Sequence, residues 1–225
     1  MLEDVRIALV IAPHPDDEVL GVGGTMARLS AMGAEVHVAI CTRGQPPRFS
    51  AEFVTQVMEE CATAHRGLGV TKTHFLDFPA AELDRIPHAE LNARIGALVG
   101  EVAPDTLFVP FVGDIHFDHQ LVFTSALVAS RPRHGGAPVR ILAYETLSET
   151  NWWAPGITPP FVPNVFVDIS DTLEAKLEAF DAFTTQVKEA PDERSPEVIR
   201  ALATVRGAAV YRSAAEAFML VRQVG

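Results

Sequence analysis

From Ile7 to Ile11 the chain is apolar at every position, and across 5–12 only Arg6 interrupts the run. A strand wetted on one face alternates, whereas a strand covered on both faces reads as a continuous run of this kind. Directly behind it Val19, Val22, Met26 and Leu29 recur at helical spacing. Acids in the first turn and Gly33 past the end predict a helix over about 17–32. Gly21, Gly23 and Gly24 weaken that helix, so they are expected to permit close backbone approach or an opening turn. Glu35–Cys41 reads as the next strand and completes a strand–helix–strand unit.

The alternation continues along the chain. Helices are predicted over 51–66, 89–102 and 118–130, and strands over 73–78, 106–111, 140–144 and 164–168. The segments 140–144 and 164–168 are the last two strands expected. The C-terminal third reads as helical, with Leu173, Leu177, Phe180 and Phe183 in register. Trp152-Trp153-Ala154-Pro155-Gly156 and Pro159-Pro160 are expected to form a loop wall. The pattern predicts the α/β class: a Rossmann-like, mostly parallel sheet with helices on both faces, in one domain over 1–225. Ligands bind such sheets beyond the carboxyl ends of the strands, at a switch point.

Composition narrows the function. A length of 225 residues with 48% hydrophobic and 21% charged content suits one soluble domain with a real core. No apolar run approaches the roughly 20 residues of a membrane span. Met1-Leu2-Glu3-Asp4 carries acids where a secretory signal carries basic residues, so the expected compartment is the cytoplasm. Two cysteines, Cys41 and Cys61, provide neither a disulfide framework nor a thiolate cage. A formal charge of −11 argues against nucleic acid and anionic membrane surfaces as partners.

Two clusters carry candidate chemistry. The first, Pro13-His14-Pro15-Asp16-Asp17-Glu18, follows the first strand; the second, His116-Phe117-Asp118-His119, follows the fourth. The topology predicts that they meet. A hydrolytic zinc site needs three N or O ligands and an open position for water, whose pKa falls to about 7. It also needs a base for the water's proton and a donor for the oxyanion. His14, Asp17 and His119 can supply the ligands, with Asp16 beside them as the base. Pro15 keeps His14 out of helical geometry. His116 and His119, three apart near a helix start, can face one side. Asp118 can hydrogen-bond a histidine and fix its tautomer.

Plainer roles exist for each residue. Acids at a helix start favour the dipole, and most histidines are solvated; neither explains a histidine between two prolines matched by a second His/Asp cluster. His37, His65, His74, His88 and His134 lack an acidic or histidine partner at ligand spacing and are expected to be structural or solvated. Cys41 reads as a small buried residue. Arg43, at the end of the second strand, is a candidate substrate contact.

Pro13-His14-Pro15-Asp16-Asp17-Glu18 with Gly21 and Gly24 resembles the signature of the PIG-L/LmbE-like N-deacetylases, and His116-Phe117-Asp118-His119 resembles that family's H-x-D-H. The likeness extends through Gly67-Leu68-Gly69-Val70, Leu76-Asp77-Phe78, Tyr144-Glu145-Thr146 and Ala214-Ala215-Glu216-Ala217-Phe218. It implies zinc-dependent removal of an acyl group, usually acetyl, from an amino sugar. By position it implies that His14, Asp17 and His119 bind Zn2+, and that Asp16 is the general base. His116 becomes the oxyanion partner or acid, with Asp118 as its orienter. A homo-oligomer is implied as well. Two departures stand out. Phe117 replaces a proline or polar residue, and Gln56-Val57-Met58-Glu59-Glu60 lacks the arginine of an Arg-x-x-Glu substrate pattern.

The function expected is a cytoplasmic zinc N-deacetylase acting on an N-acetylglucosamine-type sugar or glycoside. The rival enzyme is an amidase of thiol–sugar conjugates using the same zinc site. From another class, a nucleotide-binding module rests on Gly21-Val22-Gly23-Gly24, which lacks the third glycine of G-x-G-x-x-G. A zinc-binding partner subunit without catalysis is the last alternative. No G-x-S-x-G elbow supports a serine hydrolase.

Overall fold

The computed structural model describes residues 2–132, 137–152, 154 and 156–225. The strands are β1 (Ile7–Ala12), β2 (Glu35–Arg43), β3 (Lys72–Pro79), β4 (Thr106–Pro110), β5 (Arg140–Tyr144), β6 (Val165–Asp168) and β7 (Ala215–Gln223). They form one sheet in the order β3-β2-β1-β4-β5-β7-β6. The helices are α1 (Asp17–Ala31), α2 (Ala51–Gly67), α3 (His88–Val102), α4 (Phe117–Ala129), α5 (Leu173–Asp181) and α6 (Pro196–Ala208).

The unbroken apolar run of β1 has its explanation in this order. The strand lies in the middle of the sheet, parallel to β2 on one side and β4 on the other. Ala8, Val10 and Ala12 join a core with Val19 and Met26 of α1, Cys61 of α2, Phe180 of α5 and Ile199 of α6. Leu9 and Ile11 join the opposite core with Leu91 and Ile95 of α3 and Val122 of α4. Every side chain of β1 from Ala8 to Ala12 is therefore buried, whichever face it points to.

The glycines of α1 serve close approach, and the helix runs through them without an opening turn. A β-carbon on Gly21 would overlap the Tyr144 ring of β5, and one on Gly24 would lie 2.9 Å from Ile169. This packing brings α1 down on the sheet and holds its first turn over the end of β1.

The C-terminal third departs from the expectation. It contains α5 and α6, but residues 215–223 form β7, inserted antiparallel between β5 and β6. Ala215-Glu216-Ala217 has helix-forming composition, and Ala215–Phe218 is buried throughout, so no period of two marks it as a strand. Pairing on both edges overrides local preference here.

The switch point falls where expected. From β1 the chain crosses through α1 to β2, while β4 occupies the other side of β1. The crevice at the carboxyl ends of β1 and β4 receives both motif clusters.

Candidate metal centre

Beyond Ala12 the chain bends at Pro13 and His14 and turns at Pro15 and Asp16. Asp16 then caps α1 with φ 114, a region that costs a residue with a β-carbon about 1–3 kcal/mol. Its backbone N–H donates to Glu18 Oε2 at 3.1 Å, and its carbonyl accepts from the N–H groups of Val19 and Leu20. Asp17 turns back, its Oδ2 accepting the His14 backbone N–H at 2.9 Å.

The second cluster arrives from β4. His116 caps α4, its Nδ1 accepting the Asp118 backbone N–H at 3.1 Å. His119, fully buried in the first turn, places Nε2 at 3.2 Å from Asp17 Oδ2. His14 Nδ1 lies 3.3 Å from the same oxygen. Ligand atoms of His14, Asp17 and His119 all fall within 4.8 Å of one another. The ring of His116 stands 4.6 Å from that of His14 and 5.7 Å from that of His119.

The outer nitrogens test whether this trio suits a metal. His119 Nδ1 faces Asp114 Oδ2 at 2.8 Å, and His14 Nε2 faces Asp118 Oδ2 at 3.0 Å. Each carboxylate accepts the N–H of the nitrogen it faces, which directs the lone pair of the other nitrogen toward Asp17. His119 Nε2 is buried and, although 3.2 Å from Asp17 Oδ2, has no partner at good hydrogen-bond geometry among the described residues. Two imidazole lone pairs and a carboxylate oxygen facing one another need positive charge between them. The donor set, two histidines and one aspartate, fits a divalent transition metal with an open position.

Without a cation, protons must do that work. Burial disfavours charge on His14, but hydrogen bonds to Asp118 and Asp17 carry its pKa up to about 9. Burial opposes His119 likewise, and the charge of Asp17 overrides it, raising the pKa well above the ordinary value. Asp17 resists burial through His119 and His14 and stays well below its usual range. Asp16 behaves differently. Burial raises it to about 7, with the Arg194 guanidinium pulling the other way. His116 is lowered to about 4 by burial and by repulsion from His14.

A cleft of about 380 Å³ opens onto this centre. Its polar side includes His14, Asp16, His116, Glu149 and Arg194; Phe49, Phe53, Val57 and Met58 form an apolar side. Arg43 lines the same cleft, with Nη1 3.4 Å from Asp77 Oδ1.

The family model described as PIG-L, GlcNAc-PI de-N-acetylase, matches residues 9–130, more than half of the chain and both clusters. The chain belongs to the PIG-L family. This is a family of metal-dependent deacetylases. The diacetylchitobiose deacetylase of Thermococcus kodakarensis is 29% identical over 219 residues, covering 91% of this chain and 79% of that one. A 1D-myo-inositol 2-acetamido-2-deoxy-alpha-D-glucopyranoside deacetylase of Mycolicibacterium smegmatis is 29% identical over 245 residues, covering 86% and 84%. The crystal structure of a conserved protein from Thermus thermophilus superposes with a TM-score of 0.79 at 26% identity, over 97% of this chain and 96% of that chain.

Within this PIG-L chain several expectations need correcting. The Asp118 carboxylate orients His14, not His116, and also accepts the backbone N–H groups of Ala81 at 2.8 Å and Leu83 at 3.2 Å. Asp118 meets His116 through its backbone N–H, while its carboxylate reaches across to the β1 loop. Phe117 is half exposed and outside the cleft lining. Trp152 does not line the cleft either; its indole N–H donates to the Glu193 carboxylate. His65 has an acidic partner in space, with Nε2 2.9 Å from Glu18 Oε1 and Nδ1 2.7 Å from Thr73 Oγ1. Trp153 and His134 lie outside the described residues. No helix among the described residues is long and apolar enough to cross a membrane.

Three residues of the site have no counterpart in the sequence motifs. Asp114, Glu149 and Arg194 stand alone among loop residues in the chain. Asp114 had one available signal: a buried metal-ligating histidine needs a carboxylate for its second nitrogen, and an aspartate precedes His119 by five residues.

Proposed function

We propose that this chain is a zinc-dependent N-deacetylase that hydrolyses the acetamide of an N-acetylglucosamine-type sugar or glycoside. The observation that carries the reading is the buried, unpartnered His119 Nε2 facing Asp17 and His14, with Asp16 beside them in a cleft. The relatives from Thermococcus and Mycolicibacterium, named for diacetylchitobiose and an acetamido-glucopyranoside, support the substrate class.

In this reading His14, Asp17 and His119 hold the ion, which supplies Lewis acidity and a water of lowered pKa. Asp16 accepts the proton of the attacking water, its carboxylate aimed by Arg194 Nη1 at 2.8 Å, whose charge favours the ionised form. His116 has its Nδ1 occupied as an acceptor, so the proton sits on Nε2. A neutral imidazole of that tautomer is suited to donate to a developing oxyanion. Asp118 and Asp114 hold the two ligand imidazoles in their tautomers. Arg43 contacts the substrate at the cleft mouth.

The nucleotide-module alternative finds no support in Gly21 to Gly24. Those residues lie inside α1 and pack on Tyr144, Lys176 and Ile169, leaving no cradle for a phosphate.

Metal analysis combined with acetate release from N-acetylglucosamine glycosides tests the reading. Asp16→Asn is expected to keep its zinc and lose about 10²–10⁴-fold in kcat. Retention of both zinc and full activity would remove Asp16 from the role of base.

A further inference from the structure

Glu149 hangs from the turn that follows β5 and lines the cleft together with Asp16 and His116. Its backbone is fixed at both ends. The N–H donates to the Thr146 carbonyl at 3.1 Å, and the carbonyl accepts the Ile115 N–H at 3.3 Å. The neighbouring Thr150 hydroxyl donates to Asp114 Oδ1 at 2.6 Å, latching the turn to the carboxylate that orients His119. Of the Glu149 side chain, Oε2 is buried and has no hydrogen-bond partner among the described residues.

A buried carboxyl without a donor is expensive, and folded proteins keep few of them without a use. Burial raises this one to about 7, while the charges of His119 and His14 pull it down and those of Asp17 and Asp114 push it up. It therefore exchanges a proton near neutrality within electrostatic reach of the ligand trio.

Amide hydrolysis needs such a group on the amine side. His116 accepts the Asp118 N–H at Nδ1, so its single ring proton, on Nε2, is the one given to the oxyanion in the reading above. Asp16 is tied to Arg194 and serves the water. We propose that Glu149 protonates the departing amine and then pairs, as a carboxylate, with the ammonium that forms. This rests on the deacetylase reading above.

The step balances as follows. Water adds to the carbonyl carbon and leaves one proton on Asp16. As the C–N bond breaks, its electron pair stays on nitrogen, which takes the carboxylic proton of Glu149. Ionisation of the acetic acid formed supplies the proton that makes the amine an ammonium. The proton held by Asp16 returns to Glu149 through solvent, restoring both groups.

The test compares the wild type with Glu149→Gln, which keeps the shape but cannot act as the acid. Zinc content and melting temperature are matched first, and Glu149→Asp is carried as the conservative variant. With an N-acetylglucosamine glycoside, E149Q is expected to lose about 10²–10⁴-fold in kcat with KM changed little, and Glu149→Asp to recover part of the loss. In calorimetric titrations of the zinc-loaded proteins, glucosamine is expected to bind E149Q at least tenfold more weakly than wild type. N-acetylglucosamine is expected to bind both alike. Wild-type kcat in E149Q, or unchanged glucosamine affinity, overturns the proposal. If the wild type releases no acetate from any such glycoside, the deacetylase reading fails; the glucosamine titration then decides the role of Glu149 alone.

Discussion

Asp114 Oδ2 lies 2.8 Å from His119 Nδ1, and this contact turns the other ring nitrogen toward Asp17. The carboxylate is itself anchored, because its Oδ1 accepts the Thr150 hydroxyl at 2.6 Å. Burial raises the Asp114 pKa while His119 holds it down, so the pair shares charge as well as geometry.

Removing that support weakens the metal site without touching a ligand. Asp114→Asn can present its amide to His119 and flip the ring's tautomer, placing a proton where the lone pair should be. Zinc affinity, measured by chelator competition, is expected to fall about 10–100-fold. An unchanged affinity would mean that Asp114 does not set the tautomer.

Metal binding should release protons, and the sign follows from His14. In the metal-free protein its pKa stands at about 9, and that of His119 is also raised. Below those values a metal must displace protons; above them the site is already free. Apparent zinc affinity is therefore expected to rise from pH 6.5 by roughly tenfold per pH unit for each proton displaced, with the share owed to His14 levelling off near pH 9. Calorimetry in buffers of different ionisation enthalpy counts the protons, and an affinity flat across this window contradicts the assignment.

The two clusters are legible in the sequence because both are short and dense, and because each follows a strand whose apolar run is unmistakable. Pro13 and Pro15 around His14 have no use in an ordinary turn, and the order of elements brings the ends of β1 and β4 together. Asp114, Glu149 and Arg194 are not legible in that way. Arg194 lies far along the chain from Asp16 and meets it because α5 packs on α1 and the segment after α5 returns to the site. The strand β7 fails for a different reason: Ala215–Phe218 is covered on both faces and rich in alanine, so neither period nor propensity marks it. Sequence proximity pairs Asp118 with the ring of His116, whereas its carboxylate reaches His14.

Arg194 gives a prediction for the pH profile. It donates to Asp16 Oδ2 at 2.8 Å and to Gln186 Oε1 at 2.9 Å, and its positive charge favours the ionised form of Asp16. Without it, burial acts on Asp16 unopposed by that cation, and the carboxyl stays protonated to higher pH. Arg194→Gln is expected to move the acid limb of kcat/KM upward by about 1 pH unit or more. Activity lost at pH 6.5 should return in part at pH 9. A uniform loss at every pH would instead indicate a substrate contact.

The last prediction concerns how α1 is held in place. Lys176 Nζ of α5 donates to Glu216 Oε1 of β7 at 2.6 Å and to the Leu20 carbonyl at 2.7 Å. Glu216 also accepts the N–H groups of Gly24 at 2.9 Å and Thr25 at 2.8 Å. Both side chains are buried, so the ion pair clamps the middle of the helix whose first turn carries Asp17. Lys176→Met leaves a buried carboxylate with only amide donors and is expected to cost about 3–5 kcal/mol. At about 2–4 °C per kcal/mol for a chain of this size, the melting temperature should fall by roughly 6–20 °C. Glu216→Gln added to Lys176→Met removes the stranded charge, so the double variant should be more stable than Lys176→Met alone. Because the clamp acts on α1 as a body, zinc affinity should weaken alongside stability in the single variant and recover in part in the double. Additive losses in a double-mutant cycle would show that the two residues act independently.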